Sequence, residues 1–193
     1  MFHLDPQNDG VDHINIASRA ATEVGRKLTN FYRHPLNIPD LGVFYSIEGL
    51  WYWLWSDEII KHYQAKGLYD FDARIKPMRD QLLTASGVNA KQLGRDIIKL
   101  LPEAPHHEAS PEFRKRICEA IKLKIRTIPG LMEDLRATYP KPLFHYYVFG
   151  KDPKNLKVVI PERHPWLIEF LNKYRDELVV GRGLKDPPIQ FFP

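Results

Sequence analysis

Apolar residues in this chain recur mostly three or four positions apart, and only briefly two apart. The most regular stretch is SPEFRKRICEAIKLKIRT, where Phe113, Ile117, Ile121 and Ile125 fall four apart and form one helical stripe. Ser110 is placed to cap that helix, Pro111 suits its first position, and Glu112 complements its dipole. A second helix is predicted from Ser46 to about Ala65, with Ser46 as N-cap and Gly67 as the stop. A third covers Asp70 to Thr84 and is kinked or divided at Pro77. NAKQLGRDIIKLL begins with a capping Asn89 and spaces Leu93, Ile97 and Leu101 along one face. Leu131–Ala137 reads as a short helix after the Pro129-Gly130 break. Pro165 opens a last helix that turns Trp166, Phe170, Leu171, Tyr174 and Leu178 inward.

The period-two stretches are short. HINIA (His13–Ala17) and Val43–Tyr45 read as brief strands, and PLNIPDLG (residues 35–42) as a turn-rich segment. LFHYYVF and NLKVVI are aromatic and β-branched, and the Gly-Lys-Asp-Pro-Lys between them suggests a hairpin. The pattern predicts an α+β fold, a mostly helical single domain with a small β-sheet. Residues 1–12 form an N-terminal extension, 13–180 the folded domain, and 181–193 an irregular tail.

Composition narrows this picture without changing it. A chain of 193 residues is long enough to bury a substantial core. No apolar run reaches membrane-spanning length, and MFHLDPQNDG lacks a signal-peptide pattern. The single cysteine, Cys118, rules out an intramolecular disulfide; a reducing, cytoplasmic setting and a packed, inert thiol are expected. The formal charge of +4 permits an anionic ligand without requiring one.

Common catalytic signatures are absent: no phosphate loop, no dinucleotide glycine motif, no zinc-protease helix and no nucleophile elbow. His106-His107 has no further ligands at metal-binding spacing, and no metal or cofactor is expected. Glu48 stands out because Trp51, Tyr52, Trp53 and Trp55 follow it within one helix. The helix N-terminus favours its charged form, whereas aromatic burial raises its pKa. Taken alone, the residue is either a helix-start carboxylate or the acid of a pocket.

A resemblance bears on that choice. Leu28-Thr29-Asn30-Phe31, then Pro35-Leu36, then Tyr45-Ser46-Ile47-Glu48, resembles the opening of the NADAR family, the YbiA-like N-glycosidases. Gly94-Arg95-Asp96, FRKRICEAIKLKIRTIPGLMEDLRAT, LFHYYVFGKD and WLIEFLNKYRDEL follow in the family's order, so the similarity spans about residues 13–178. It implies a YbiA-like fold that hydrolyses N-glycosidic bonds in phosphorylated ribosyl or ADP-ribosyl compounds, the latter free or on nucleic acid. Carried onto this chain, it implies Glu48 and Asp152 as catalytic groups and Asn30 as the ribose anchor. Trp51, Trp53 and Phe149 would form aromatic walls, and Arg26, Lys27, Arg95 and Lys151 would meet phosphate. Asn30, Glu48 and the Phe149–Asp152 turn are then expected to converge on one pocket.

The chain also departs from the family pattern. Gly49 stands where the family has histidine after the glutamate. Tyr52-Trp53-Leu54-Trp55 replaces the segment carrying its sugar-capturing lysine, and the nearest lysine is Lys61. Phe149-Gly150-Lys151 replaces Trp-Gly-Asp, with Asp152 one place late, and Pro161-Glu162-Arg163-His164-Pro165 replaces a Gly- and Asn-rich element. Two alternatives follow: a nucleotide-binding module without turnover, and nucleic-acid binding through the basic helix from Arg114 to Arg126.

Overall fold

The computed structural model describes residues 4–68, 71–101, 110–150 and 155–181. Its elements, in chain order, are β1 (Ile14–Asn15), α1 (Glu23–Leu28), β2 (Leu36–Ile38), β3 (Gly42–Phe44), α2 (Ile47–Ala65), α3 (Phe71–Thr84), α4 (Gly87–Lys99), α5 (Pro111–Thr127), α6 (Leu131–Ala137), β4 (Leu143–Phe144), β5 (Tyr147–Phe149), β6 (Lys157–Val159) and α7 (Trp166–Val180). A 3-10 turn at Pro6–Asn8 precedes them. The fold is α+β and mostly helical, with three two-stranded ladders among the described residues. The residues gather into two compact units, one built from both ends of the chain and the other from residues 30–127.

In the first unit β1 pairs parallel with β4, joining Ile14 to Leu143 and Asn15 to Phe144. Helix α1 packs on α6, and α6 and β4 pack on α7. Asn172 of α7 ties β4 down, accepting from the Leu143 N–H and donating to its carbonyl, both at 3.2 Å. LFHYYVF therefore splits: Leu143–Phe144 serves the parallel ladder, and Tyr147–Phe149 pairs antiparallel with β6. Leu171, Tyr174 and Leu178 are buried on α7 as predicted, while Trp166 and Phe170 are only half-buried.

In the second unit α2 is the central helix, packed against α3, α4 and α5. It is apolar around most of its circumference, as a helix enclosed on several sides must be. Ser46 caps it by accepting from the Gly49 N–H at 3.0 Å, and the Ser46 hydroxyl donates to the Ala85 carbonyl at 2.9 Å. The cap thus also fixes the end of α3. Ser110 caps α5 through the Phe113 N–H at 3.1 Å, and Phe113, Ile117, Ile121 and Ile125 are all buried. Pro77 lies inside α3 without dividing it.

Two local expectations are corrected here. Helix α4 begins at Gly87, so Asn89 lies within its first turn and Ser86 holds the cap position. Residues 35–42 are not all turn: Leu36–Ile38 pairs antiparallel with β3, joined through Asp40 at φ 66°. Leu36 and Ile38 point into the core while Asn37 faces out, the alternation of a half-buried strand.

Candidate functional site

Glu48 lies in the first turn of α2, and its N–H donates to the Asn30 carbonyl at 3.0 Å. The start of the helix and the Asn30-Phe31 segment are therefore neighbours. One turn further on, at i+4, Tyr52 lies on the same helical face and stacks on Trp55 with ring centroids 5.7 Å apart.

Helix α4 closes against this face. A Cβ built on Gly94 would lie 2.0 Å from Cγ of the Tyr52 ring, so only glycine lets the two helices approach this closely. That approach gives the Gly94-Arg95 pair its meaning. Gly94 admits the ring, and the Arg95 charge acts on the Tyr52 phenol and opposes the rise of its pKa. Lys91, one turn before Arg95, places its ammonium 5.6 Å from the centroid of the Phe31 ring. Asn30, Phe31, Glu48, Tyr52, Lys91 and Arg95 thus form one cluster within the second unit.

The electrostatics of the cluster are unusual. Burial pushes the Glu48 carboxyl up to about 7, against the opposing pull of the Lys91 and Arg95 charges. Burial also raises the Tyr52 phenol, and the Glu48 charge adds to that rise while Arg95 opposes it. A carboxyl poised near neutral pH between two cations can give or take a proton, or face a developing positive charge. The two cations suit an anionic group such as phosphate.

Gly49 also acquires a physical reason. A Cβ there would lie 2.4 Å from the Leu82 carbonyl oxygen, so no histidine fits after Glu48 in this packing. On α2, Lys61 is 73% exposed and ion-paired to Asp57 at 2.9 Å, which leaves it on the outer surface.

The other expected site residues are placed differently. Trp51 is buried, edge-on to Phe113 of α5 at 4.7 Å. Trp53 turns toward Phe44 of β3 at 6.1 Å and lies under the Arg79 guanidinium at 4.2 Å. Both are accounted for by packing, and the aromatic groups of the cluster are Phe31 and Tyr52. Arg26 donates to the Ala20 and Ala21 carbonyls at 2.7 Å each, and Lys27 pairs with Glu23 at 2.7 Å. These bonds hold α1 within the first unit. Phe149 also belongs to the first unit and is exposed. Lys151, Asp152 and the His106-His107 pair lie outside the described residues.

Lys91, Tyr52 and Phe31 were missed as site residues. The signal that could have found Lys91 is its i, i+4 spacing to Arg95, across the glycine that brings the helix close.

A second polar chain looks catalytic at first sight. In the first unit Asp12 bonds His13 Nδ1, and His13 Nε2 meets the Tyr146 hydroxyl at 2.7 Å. His13 and Tyr146 are 0% and 1% exposed, and burial holds the Tyr146 phenol well above its ordinary pKa. Asp12 is exposed at one end of the relay while His13 and Tyr146 are buried, and the raised phenol is not an activated nucleophile. A small cavity of about 20 Å³ also lies in the second unit, against Leu41, Leu50 and Leu54, with α5 charges at its rim. It is roughly the size of one water. The Cys118 thiol is half-buried and pushed up to about 11, which makes it unreactive.

Among the described residues no three His, Cys, Asp or Glu side chains are grouped to hold a metal, and no helix is long and apolar enough to cross a membrane. Compared with family models, with curated proteins and with solved structures, the chain returns no match.

Proposed function

We propose that the chain is an N-glycosyl hydrolase acting on a phosphorylated ribosyl or ADP-ribosyl compound, with Glu48 as its central acid–base group. The supporting observation is the Glu48 carboxyl itself, half-buried, held near pKa 7 and set beside Lys91 and Arg95. In this reading Lys91 and Arg95 take the phosphate, and Asn30 orients the ribose. Phe31 and Tyr52 offer the aromatic surface for the base. Water attacks the anomeric carbon and gives its proton to the Glu48 carboxylate. The carbon–nitrogen bond breaks with its electron pair passing to the base nitrogen, which takes up a proton from solvent, and Glu48 releases the water proton to restore its carboxylate. The carboxylate also stabilises the oxocarbenium character that develops on the sugar. Because the ionised form is the active one, turnover should rise as pH increases through about 7.

The decisive variant is Glu48→Gln, which keeps the shape and removes the charge. Cleavage of a panel of ribosyl phosphates and ADP-ribosyl compounds should fall roughly 100- to 10,000-fold, with ligand affinity largely retained. An unchanged rate removes Glu48 from the mechanism.

A nucleotide-binding module without turnover is the second reading. It is favoured by one observation: α2 carries no lysine beside Glu48, and Lys61 is engaged with Asp57 on the surface. Tight binding of the panel by the wild-type chain, with no cleavage of any member, would establish it. The basic helix is less favourable as a nucleic-acid surface. On α5, Arg116 pairs with Glu112 and Lys122 with Glu119, and Lys124 is buried.

A further inference from the structure

The β5–β6 ladder in the first unit is short, yet it exposes large apolar side chains. Tyr147 and Phe149 are 43% and 56% exposed, where a two-stranded ladder of this kind would ordinarily carry polar residues. They sit at alternate positions of β5 and therefore share one face. Their ring centroids lie 6.5 Å apart at 55°, a tilted rather than a stacked pair. His145 extends the row, with its ring 5.0 Å from that of Tyr147. The antiparallel register sets Lys157 directly opposite Phe149 and Val159 opposite Tyr147. Lys157 is exposed, so a cation stands on the same face as the rings.

We infer that this face is a stacking platform for single-stranded nucleic acid, with Tyr147 and Phe149 each receiving a base and Lys157 meeting the backbone phosphate. The argument is one of complementarity. Exposed rings at alternating strand positions match the π-faces of unstacked bases, and an adjacent lysine matches the phosphate charge. A duplex hides its base faces and has nothing to offer the rings. The net charge of +4 favours approach of a polyanion. The surface stands independently of the Glu48 reading, since it uses residues of the other unit.

The test is fluorescence anisotropy of the full chain with labelled twelve-residue probes: oligo-dT, oligo-U, the corresponding duplex, and an abasic strand with the same phosphates. Single strands should bind at least about tenfold more tightly than the duplex or the abasic strand. Phe149→Ala should weaken single-strand binding roughly five- to hundredfold, and Phe149→Trp should preserve it. Lys157→Gln should lower affinity and reduce the salt dependence by about one phosphate contact. Unchanged thermal unfolding of these variants shows that the fold is intact. Equal binding of abasic and intact strands overturns the proposal, as does binding lost in Arg114→Gln but kept in Phe149→Ala. Absence of binding at low salt, or self-association of the chain through this face, overturns it equally.

Discussion

Glu48 and Lys124, both in the second unit, have pKa values driven to about 7 from opposite directions. Burial is the leading cause in each case. Their surroundings differ. Glu48 is half-buried at a helix start, and Lys91 and Arg95 pull against its desolvation. Lys124 is 1% exposed, with its ammonium 5.6 Å from the Tyr32 ring and His34 close enough to feel its charge. A shifted pKa alone therefore does not mark a site. What distinguishes Glu48 is that the shift coincides with partial exposure and with two cations, Lys91 and Arg95, close enough to act on it.

The sharpest way to test this contrast is through stability against pH, where the two groups carry opposite signs. The Lys124 pKa is lowered on folding, so its neutral form is favoured in the native state. The cost of burying it is absent above about pH 10.5, grows as pH falls, and is full below about pH 7. Lys124→Met should therefore stabilise the chain by about 4 kcal/mol at pH 6 and by little near pH 11, as read from denaturant unfolding at both pH values. No gain at pH 6 would mean that the amine is well solvated or paired.

Glu48 behaves in reverse. Its pKa is raised on folding, so the penalty is absent below about pH 4.5 and full above about pH 7. Glu48→Gln should stabilise the fold by about 3 kcal/mol at pH 8 and by almost nothing at pH 4. A variant that loses turnover while gaining stability at pH 8 would show an active group held at the expense of the fold. A loss of stability at pH 8 would recast Glu48 as a helix-start residue.

Smaller effects test the frame around Glu48. Gly94→Ala forces the Tyr52 ring off α4 and should cost about 1–3 kcal/mol in unfolding free energy. If Lys91 and Arg95 take a phosphate, the same variant should weaken its binding, because Arg95 follows Gly94 on the displaced helix face. Smallest of all is Lys27→Ala, which removes an ion pair with exposed Glu23. Any turnover should be unchanged, and the unfolding midpoint should fall only slightly through loss of the mostly buried lysine stem.

What the sequence disclosed follows from how local each signal is. Ser46 and Ser110 were legible as caps because a cap depends on the next three residues. Strand Leu36–Ile38 was hidden by prolines on both sides, and its identity rests on pairing with β3. LFHYYVF could not reveal its division, because one half pairs with residues near the start of the chain. At the site, Glu48 could be singled out from its aromatic context and Arg95 from the Gly-Arg pair. Helical phase and tertiary packing then selected Tyr52 over Trp51 and Trp53, and brought Lys91 in from another helix. The absence of histidine after Glu48 is obvious in the sequence, but its cause is a carbonyl more than thirty residues away.

The parallel pairing of β1 with β4 has a consequence for synthesis. Ile14 leaves the ribosome long before Leu143, its partner in the ladder, has been made. Residues 30–127 can complete their own unit in that interval, since the β2–β3 ladder and the packing of α2 against α3, α4 and α5 lie within it. The first unit must wait, and its closure is a late event with a long loop to gather. A chain truncated before residue 143 should therefore form its helical unit while leaving β1 unpaired.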